Sequence, residues 1–243
     1  PTALLATNTS SIPLEDIVLT RVEEISIGLT RGEDSAFVWT DIAGLAGSNA
    51  RLAGRYLVFM VVAGVIAAYG VVDRSPILVV GAMAISPDLL PITAIAVGII
   101  ARRVPLSARA LLALVAGMAT AVLSAAIIIA LVNAAGEVPE YFNLNDTVLR
   151  GLTTVSDETV VVALVAGVAG MLALETRASS GVGVAISVTT IPAAAYIGVA
   201  IGLGQASQAT GAVAVLGVNI VMMVIGACAT LLIQRHMRRA PME

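Results

Sequence analysis

The sequence predicts an all-α membrane protein: six transmembrane helices forming two inverted three-helix repeats, with helices 2 and 5 broken. Three observations carry that expectation. The 243 residues are 58% hydrophobic and only 12% charged, with a mean hydropathy of +1.00. Six separate apolar stretches approach or exceed the length that crosses a bilayer core of about 30 Å. One pattern, Ala-Ile-Ser with a Pro five residues after the Ser, occurs twice, 101 residues apart, in the second and fifth stretches.

The stretches run over residues 54–72, 77–100, 106–133, 159–174, 183–203 and 210–234. The third is long enough to tilt or to project into water. The fourth is short, and Ser156 is placed to cap it, with Asp157 and Glu158 favourable at the positive helix end. Residues 49–239 make the transmembrane domain.

Orientation follows from arginine, because the chain has no Lys among its 13 cationic residues. Arg51 and Arg55 precede span 1. Arg102, Arg103 and Arg109 lie between spans 2 and 3, Arg177 between spans 4 and 5, and Arg235, Arg238 and Arg239 after span 6. All nine fall on one side of a six-span chain, and only Arg74 and Arg150 fall on the other. The positive-inside rule then places both termini in the cytoplasm of a multi-pass inner-membrane protein. Glu137, Glu140 and Asp146 lie in the outer loop between spans 3 and 4.

Residues 1–48 are polar and too few to bury a core of their own. The piece 12–27 reads as a strand and turn left from a truncated cytosolic α/β domain. Phe37, Val38, Ile42 and Leu45 share one face of a short interfacial helix. Nothing here has the form of a secretory signal peptide.

Composition also bounds the chemistry. A soluble enzyme has too little interior to hide this much apolar material. The single Cys228 excludes a disulfide framework and a Cys-based zinc site. The single His236 lies among C-terminal arginines, so neither a His metal cluster nor a Ser–His relay is available. Absence of Lys removes a Walker A loop and a Schiff base. No enzyme activity, cofactor, metal centre or nucleic-acid partner is expected.

The repeat points to a site. Val62-Ala63-Gly64-Val65 in span 1 matches Val165-Ala166-Gly167-Val168 in span 4, so the halves are spans 1–3 and 4–6. An odd number of spans per half inverts the second relative to the first. Pro87 and Pro91 lie in the middle of span 2, and Pro192 in span 5. Each proline removes a backbone donor and crowds the preceding turn. Freed carbonyls cannot face lipid, so such a break faces protein or a wet cavity. Paired broken helices are where secondary carriers build their sites. For Pro192 a simple kink is the alternative. Gly81 and Gly183, with Gly98, Gly198 and Gly202, bracket the breaks and permit close backbone approach.

Asp88 stands between the two prolines of span 2, near the midplane. An acid at a helix centre costs roughly 2.5 to 3.5 kcal/mol on insertion scales, so it reads as functional. A structural pair or a watery vestibule is the alternative. Ser86, Ser187, Thr189 and Thr190 flank the breaks, and Asn219 lies in span 6. These residues, with Asp88, are the candidate substrate- or ion-binding set. The break supplies free carbonyls that suit a cation and free N–H groups that suit an anion, so the sign of the substrate stays open. Arg150 is a candidate outer gate.

The segment Gly81-Ala82-Met83-Ala84-Ile85-Ser86-Pro87-Asp88-Leu89-Leu90-Pro91 resembles the first signature of a family of bacterial hydrophobic membrane proteins, domain of unknown function 389. The segment Gly183-Val184-Ala185-Ile186-Ser187-Val188-Thr189-Thr190-Ile191-Pro192 resembles its second signature, with one Pro where other branches have two. Leu216-Gly217-Val218-Asn219 resembles its last span. The region around Trp39, and the acid at Asp88, resemble actinobacterial members. The resemblance covers residues 12–234. It implies a multi-span membrane protein, preceded by a small cytosolic α/β domain, with a transport-related activity.

The expected function is a secondary carrier of a small solute, cation- or proton-coupled, with its site at the midplane between spans 2 and 5. The alternatives are an ion channel with an acidic ring and a membrane sensor or scaffold. The expected partners are the lipid bilayer, a small-molecule or ion substrate, and further copies of the chain as a dimer or trimer.

Overall fold

The computed structural model describes residues 50–139, 142–176 and 181–237. The chain divides into two compact units, Pro1–Gly47 and Ser48–Glu243, and every described residue belongs to the second. The expected strand-and-turn piece 12–27 and the amphipathic face of Phe37, Val38, Ile42 and Leu45 lie outside the described residues.

Among the described residues all regular structure is helical, with no strand. The helices are α1 (Ala50–Val72), α2 (Pro76–Ile85), α3 (Leu89–Ile100), α4 (Val104–Ala134), α5 (Asp157–Thr176), α6 (Gly181–Gly202) and α7 (Thr210–Met237). Two short 3-10 helices, Thr147–Leu152 and Ala206–Ala209, precede α5 and α7. Local chemistry sets several boundaries. Ser75 accepts from the Leu78 N–H at 3.5 Å, and Pro76 opens α2 where its missing donor costs nothing. Ser156 accepts from the Thr159 N–H at 3.2 Å, with Asp157 and Glu158 in the first turn of α5.

Among the described residues three helical stretches are long and apolar enough to cross a membrane: Gly54–Val72, Val104–Ala134 and Ala206–His236. A fourth crossing results if α2 and α3, bent by 53° at their junction, count as one span. At 1.5 Å per residue the two pieces measure about 15 Å and 18 Å, so the bend falls near the middle of the path. In α6 the apolar run Thr190–Gly202 is shorter.

The expected break in the fifth span does not occur, because α6 runs through Pro192. The reason is the number of donors lost. Pro192 removes one, which a helix can survive as a kink. Pro87 and Pro91, one turn apart, remove two in succession, and the chain unwinds over Ser86 and Pro87.

α6 is the centre of the bundle. It packs against α1, α2, α4, α5 and α7, and every residue from 190 to 200 is buried. Around it, α1 pairs with α4 and α5 pairs with α7. Small residues set both pairings. A Cβ on Gly64 would run into Ala121 and Ser124 of α4, and one on Gly167 would run into the Met223 carbonyl of α7. Gly226 of α7 sits equally hard against the Leu164 carbonyl. Without a hydrophobic driving force between helices in lipid, such close backbone approach is what holds them.

Candidate functional site

The site forms where α2 ends and α3 begins. The Ser86 N–H still closes a helical bond to the Ala82 carbonyl at 3.1 Å. The next carbonyl, Met83, has no donor four residues on, because Pro87 carries no N–H. Asp88 then opens α3 with helical backbone angles, but its carboxylate makes no capping bond to its own helix.

Instead the carboxylate reaches across the bundle. The Thr190 hydroxyl of α6 donates to Asp88 Oδ2 at 2.5 Å. Both residues are 0% exposed. A carboxylate so enclosed is stabilised only by the groups that touch it, because water is excluded. Ser86, two residues earlier in the chain, is also buried, and its hydroxyl donates to the thioether of Met60 at 3.4 Å, a weak acceptor. Thr93 donates its hydroxyl back to the Leu89 and Leu90 carbonyls at 2.9 and 3.0 Å, which satisfies this buried hydroxyl within its own helix.

Tyr56, one turn before Met60 on α1, lies against Gly117 of α4 and within electrostatic reach of Asp88. Its hydroxyl is buried without a hydrogen-bond partner among the described residues. Sequence reasoning missed Tyr56 and Met60. Their signal was the i, i+4 spacing on a span adjacent to the break, which is weak in a chain so rich in apolar residues.

The remaining candidates divide. Asn219 is buried on α7, which packs on α3, α5 and α6. Ser187, Thr189 and Gly183 belong to α6, and their side chains lie outside the described residues. A Cβ on Gly81 would meet open space, so this glycine serves no close approach. Gly198 and Gly202 do, because both abut the α4 backbone. Pro91 is buried in the first turn of α3. Among the described residues no three His, Cys, Asp or Glu side chains are grouped to hold a metal ion.

A second cluster closes one end of the bundle. The Arg74 guanidinium, in the α1–α2 turn, pairs with Asp146 of the α4–α5 loop at 2.5 Å. The Tyr196 hydroxyl of α6 donates to the Leu144 carbonyl of the same loop at 3.0 Å. Leu144 and Leu149 are buried beneath it. Arg150 is exposed, and its backbone carbonyl accepts from Thr153 and Thr154. Among the described residues the ion pair found at this end is made by Arg74 with Asp146. Arg74 and Asp146 both fall on the outer side of the sequence-derived topology, which is the signal that pairs them.

A family model, "Domain of unknown function (DUF389)", matches residues 83–225, more than half of the chain. The chain belongs to this family. The DUF389 match begins two residues after Gly81 and includes the α2–α3 break, all of α6 and Asn219. No curated protein and no solved structure matches the chain. The DUF389 region and the apolar helices together identify a membrane-type protein whose polar centre is the Asp88–Thr190 pair.

Proposed function

We propose that the chain is a secondary carrier of a small solute, coupled to a cation or proton held at Asp88. The observation that carries this reading is the fully buried Asp88, set at the break between α2 and α3 and bonded to Thr190 of the central helix. A carrier must hide its site from both sides at some point in its cycle, and an enclosed carboxylate between two helices suits that state. An acidic ring lining an open pore would instead leave the carboxylate wet.

In this reading the protein crosses a bacterial cell membrane six times, with α5 and α6 as further spans and both termini in the cytoplasm. The two halves are inverted copies. Gly64 and Gly167 support this: they hold matching places in the two Val-Ala-Gly-Val segments, and each sits against the last helix of its own half. Inverted halves that rock about a shared centre would expose Asp88 alternately to each side. Further copies of the chain, as a dimer or trimer, would complete the assembly.

The test is flux in proteoliposomes carrying the full chain, with an imposed sodium or proton gradient and a panel of ions, amino acids and sugars. Uptake that saturates with concentration and is lost in Asp88→Asn is expected. Uptake that rises linearly without saturation would favour a channel. No uptake at all, with signalling lost when residues 1–48 are removed, would favour a sensor.

A further inference from the structure

We propose that the turn between α3 and α4 binds an anionic phospholipid by its headgroup phosphate, through the Arg102 and Arg103 guanidinium groups, with Arg109 beside them. The inference goes beyond the carrier reading and does not depend on it.

Four helices among the described residues end in the same way. The residue just past the C-cap is left-handed, its N–H returns to the helix, and the next N–H reaches one carbonyl further back. After α4 and α6 that residue is glycine, Gly136 at φ 75° and Gly204 at φ 73°. After α1 and α3 it is arginine, Arg74 at φ 51° and Arg102 at φ 55°. Behind α3 the Arg102 N–H bonds the Ile99 carbonyl at 3.1 Å, and the Arg103 N–H bonds the Gly98 carbonyl at 2.8 Å. A left-handed angle is free of steric cost only for glycine, so the turn itself gains nothing from an arginine. The guanidinium must gain it elsewhere. For Arg74 the gain is visible, because it pairs with Asp146.

At Arg102 the chain offers no such partner. From Leu89 to Gly136 it contains no acidic residue. No ion pair reaches Arg102, Arg103 or Arg109 among the described residues. Arg103 holds the N-cap of α4, where Ser, Thr, Asp or Asn is favoured, and makes no capping bond. All three arginines are exposed. The complementary charge is then an anion outside the chain.

Position sets its source. α4 is long and apolar enough to cross a membrane and begins at Val104, so the two arginines stand where hydrocarbon meets headgroups. Ile99 and Val104 flank them and are exposed, Val104 at 74%. A planar guanidinium matches a phosphate with two parallel hydrogen bonds. The apolar flank suits the acyl chain, which a free phosphate lacks.

The test measures thermal unfolding of the purified full chain in a neutral detergent, titrated with phosphatidylglycerol, phosphatidylcholine or glycerol phosphate. Phosphatidylglycerol should raise Tm saturably, and its half-saturating concentration should climb with added salt. Phosphatidylcholine and glycerol phosphate should not act in the same range. Arg102→Gly should raise the half-saturating concentration about fivefold, the share of one basic side chain near an anionic surface. Without lipid this variant should unfold no earlier than the wild type, since glycine suits the left-handed angle. Loss of the lipid is thereby separated from loss of the fold. Arg102→Gly combined with Arg103→Gln should raise the half-saturating concentration roughly 25-fold. An equal response to phosphatidylcholine would overturn the inference, as would a phosphatidylglycerol response unchanged in the double variant. If the double variant fails to fold, Arg102→Gly alone decides, and an unchanged half-saturating concentration overturns the assignment. Glycerol phosphate acting at the same concentration as the lipid would mean an anion site without a lipid, and would overturn it too.

Discussion

Thr190 donates its hydroxyl proton to Asp88 across 102 residues of sequence. The Ala-Ile-Ser pattern repeats at 101, so Asp88 corresponds to Thr189, the immediate neighbour of its partner. A residue meets its own counterpart only near the axis that relates two copies. Under the inverted arrangement proposed above, the hydrogen bond marks that axis, and the site lies where both halves contribute equally.

Thr190→Val removes the donor and keeps the volume. Asp88 then stays buried with one partner fewer. The expected loss is about 1.5–3 kcal/mol, the range for hydrogen bonds to charged groups. Thermal unfolding in detergent measures it. A variant as stable as the wild type would mean that other groups carry the carboxylate.

Close helix crossings make a contrasting pair of substitutions. Gly167→Val and Gly226→Val would push a side chain into carbonyls of the partner helix, where backbone cannot yield. Each should cost about 1–3 kcal/mol or prevent assembly. Gly217, on α7 with open space around it, should accept Ala and gain up to about 1 kcal/mol from helix propensity. Size-exclusion profiles and unfolding midpoints separate the two classes.

The Arg74–Asp146 pair should matter more to activity than to stability. Both side chains are partly exposed, at 31% and 22%, so breaking the pair should cost no more than about 1 kcal/mol. If the α4–α5 loop opens during transport, Asp146→Asn should change flux while Tm barely moves. The double variant Arg74→Asp with Asp146→Arg should restore the wild-type rate. Unchanged flux in Asp146→Asn would show that the pair is no gate.

Topology is open to direct labelling. In a Cys228→Ser background, cysteines placed at Ala108 and Glu137 should react with a membrane-impermeant maleimide from opposite sides. Ala108 is exposed in the opening turns of α4, and Glu137 lies just beyond its end. Labelling of both from one side would overturn the crossing of α4 and the arginine-based orientation.

The sequence carried the helices and the break well, and the partners poorly. All six apolar stretches end within about four residues of a helix terminus, because hydropathy and proline act locally. Pro87, Asp88 and Pro91 marked the break for the same reason. That Thr190 bonds Asp88 was not legible, since Thr189, Thr190 and Ser187 look alike until the rotation of α6 is known. The second break was expected from symmetry of pattern and failed on arithmetic, because one proline is not two. Arg150 attracted notice by its place in the loop, whereas the ion pair depends on how the α1–α2 turn approaches Asp146.

Ala193, Ala194 and Ala195 are consecutive, so they point to three different sides of α6, and all are at most 1% exposed. A helix hemmed in on every side has no direction in which to accept a larger residue. Over generations, the outward-facing positions of α4, such as Leu112 and Leu123, are free to wander among apolar types. The middle of α6 is not. Its history should be the slowest in the protein, and a saturating mutational scan would find it the least forgiving stretch of the chain, whatever task the protein performs.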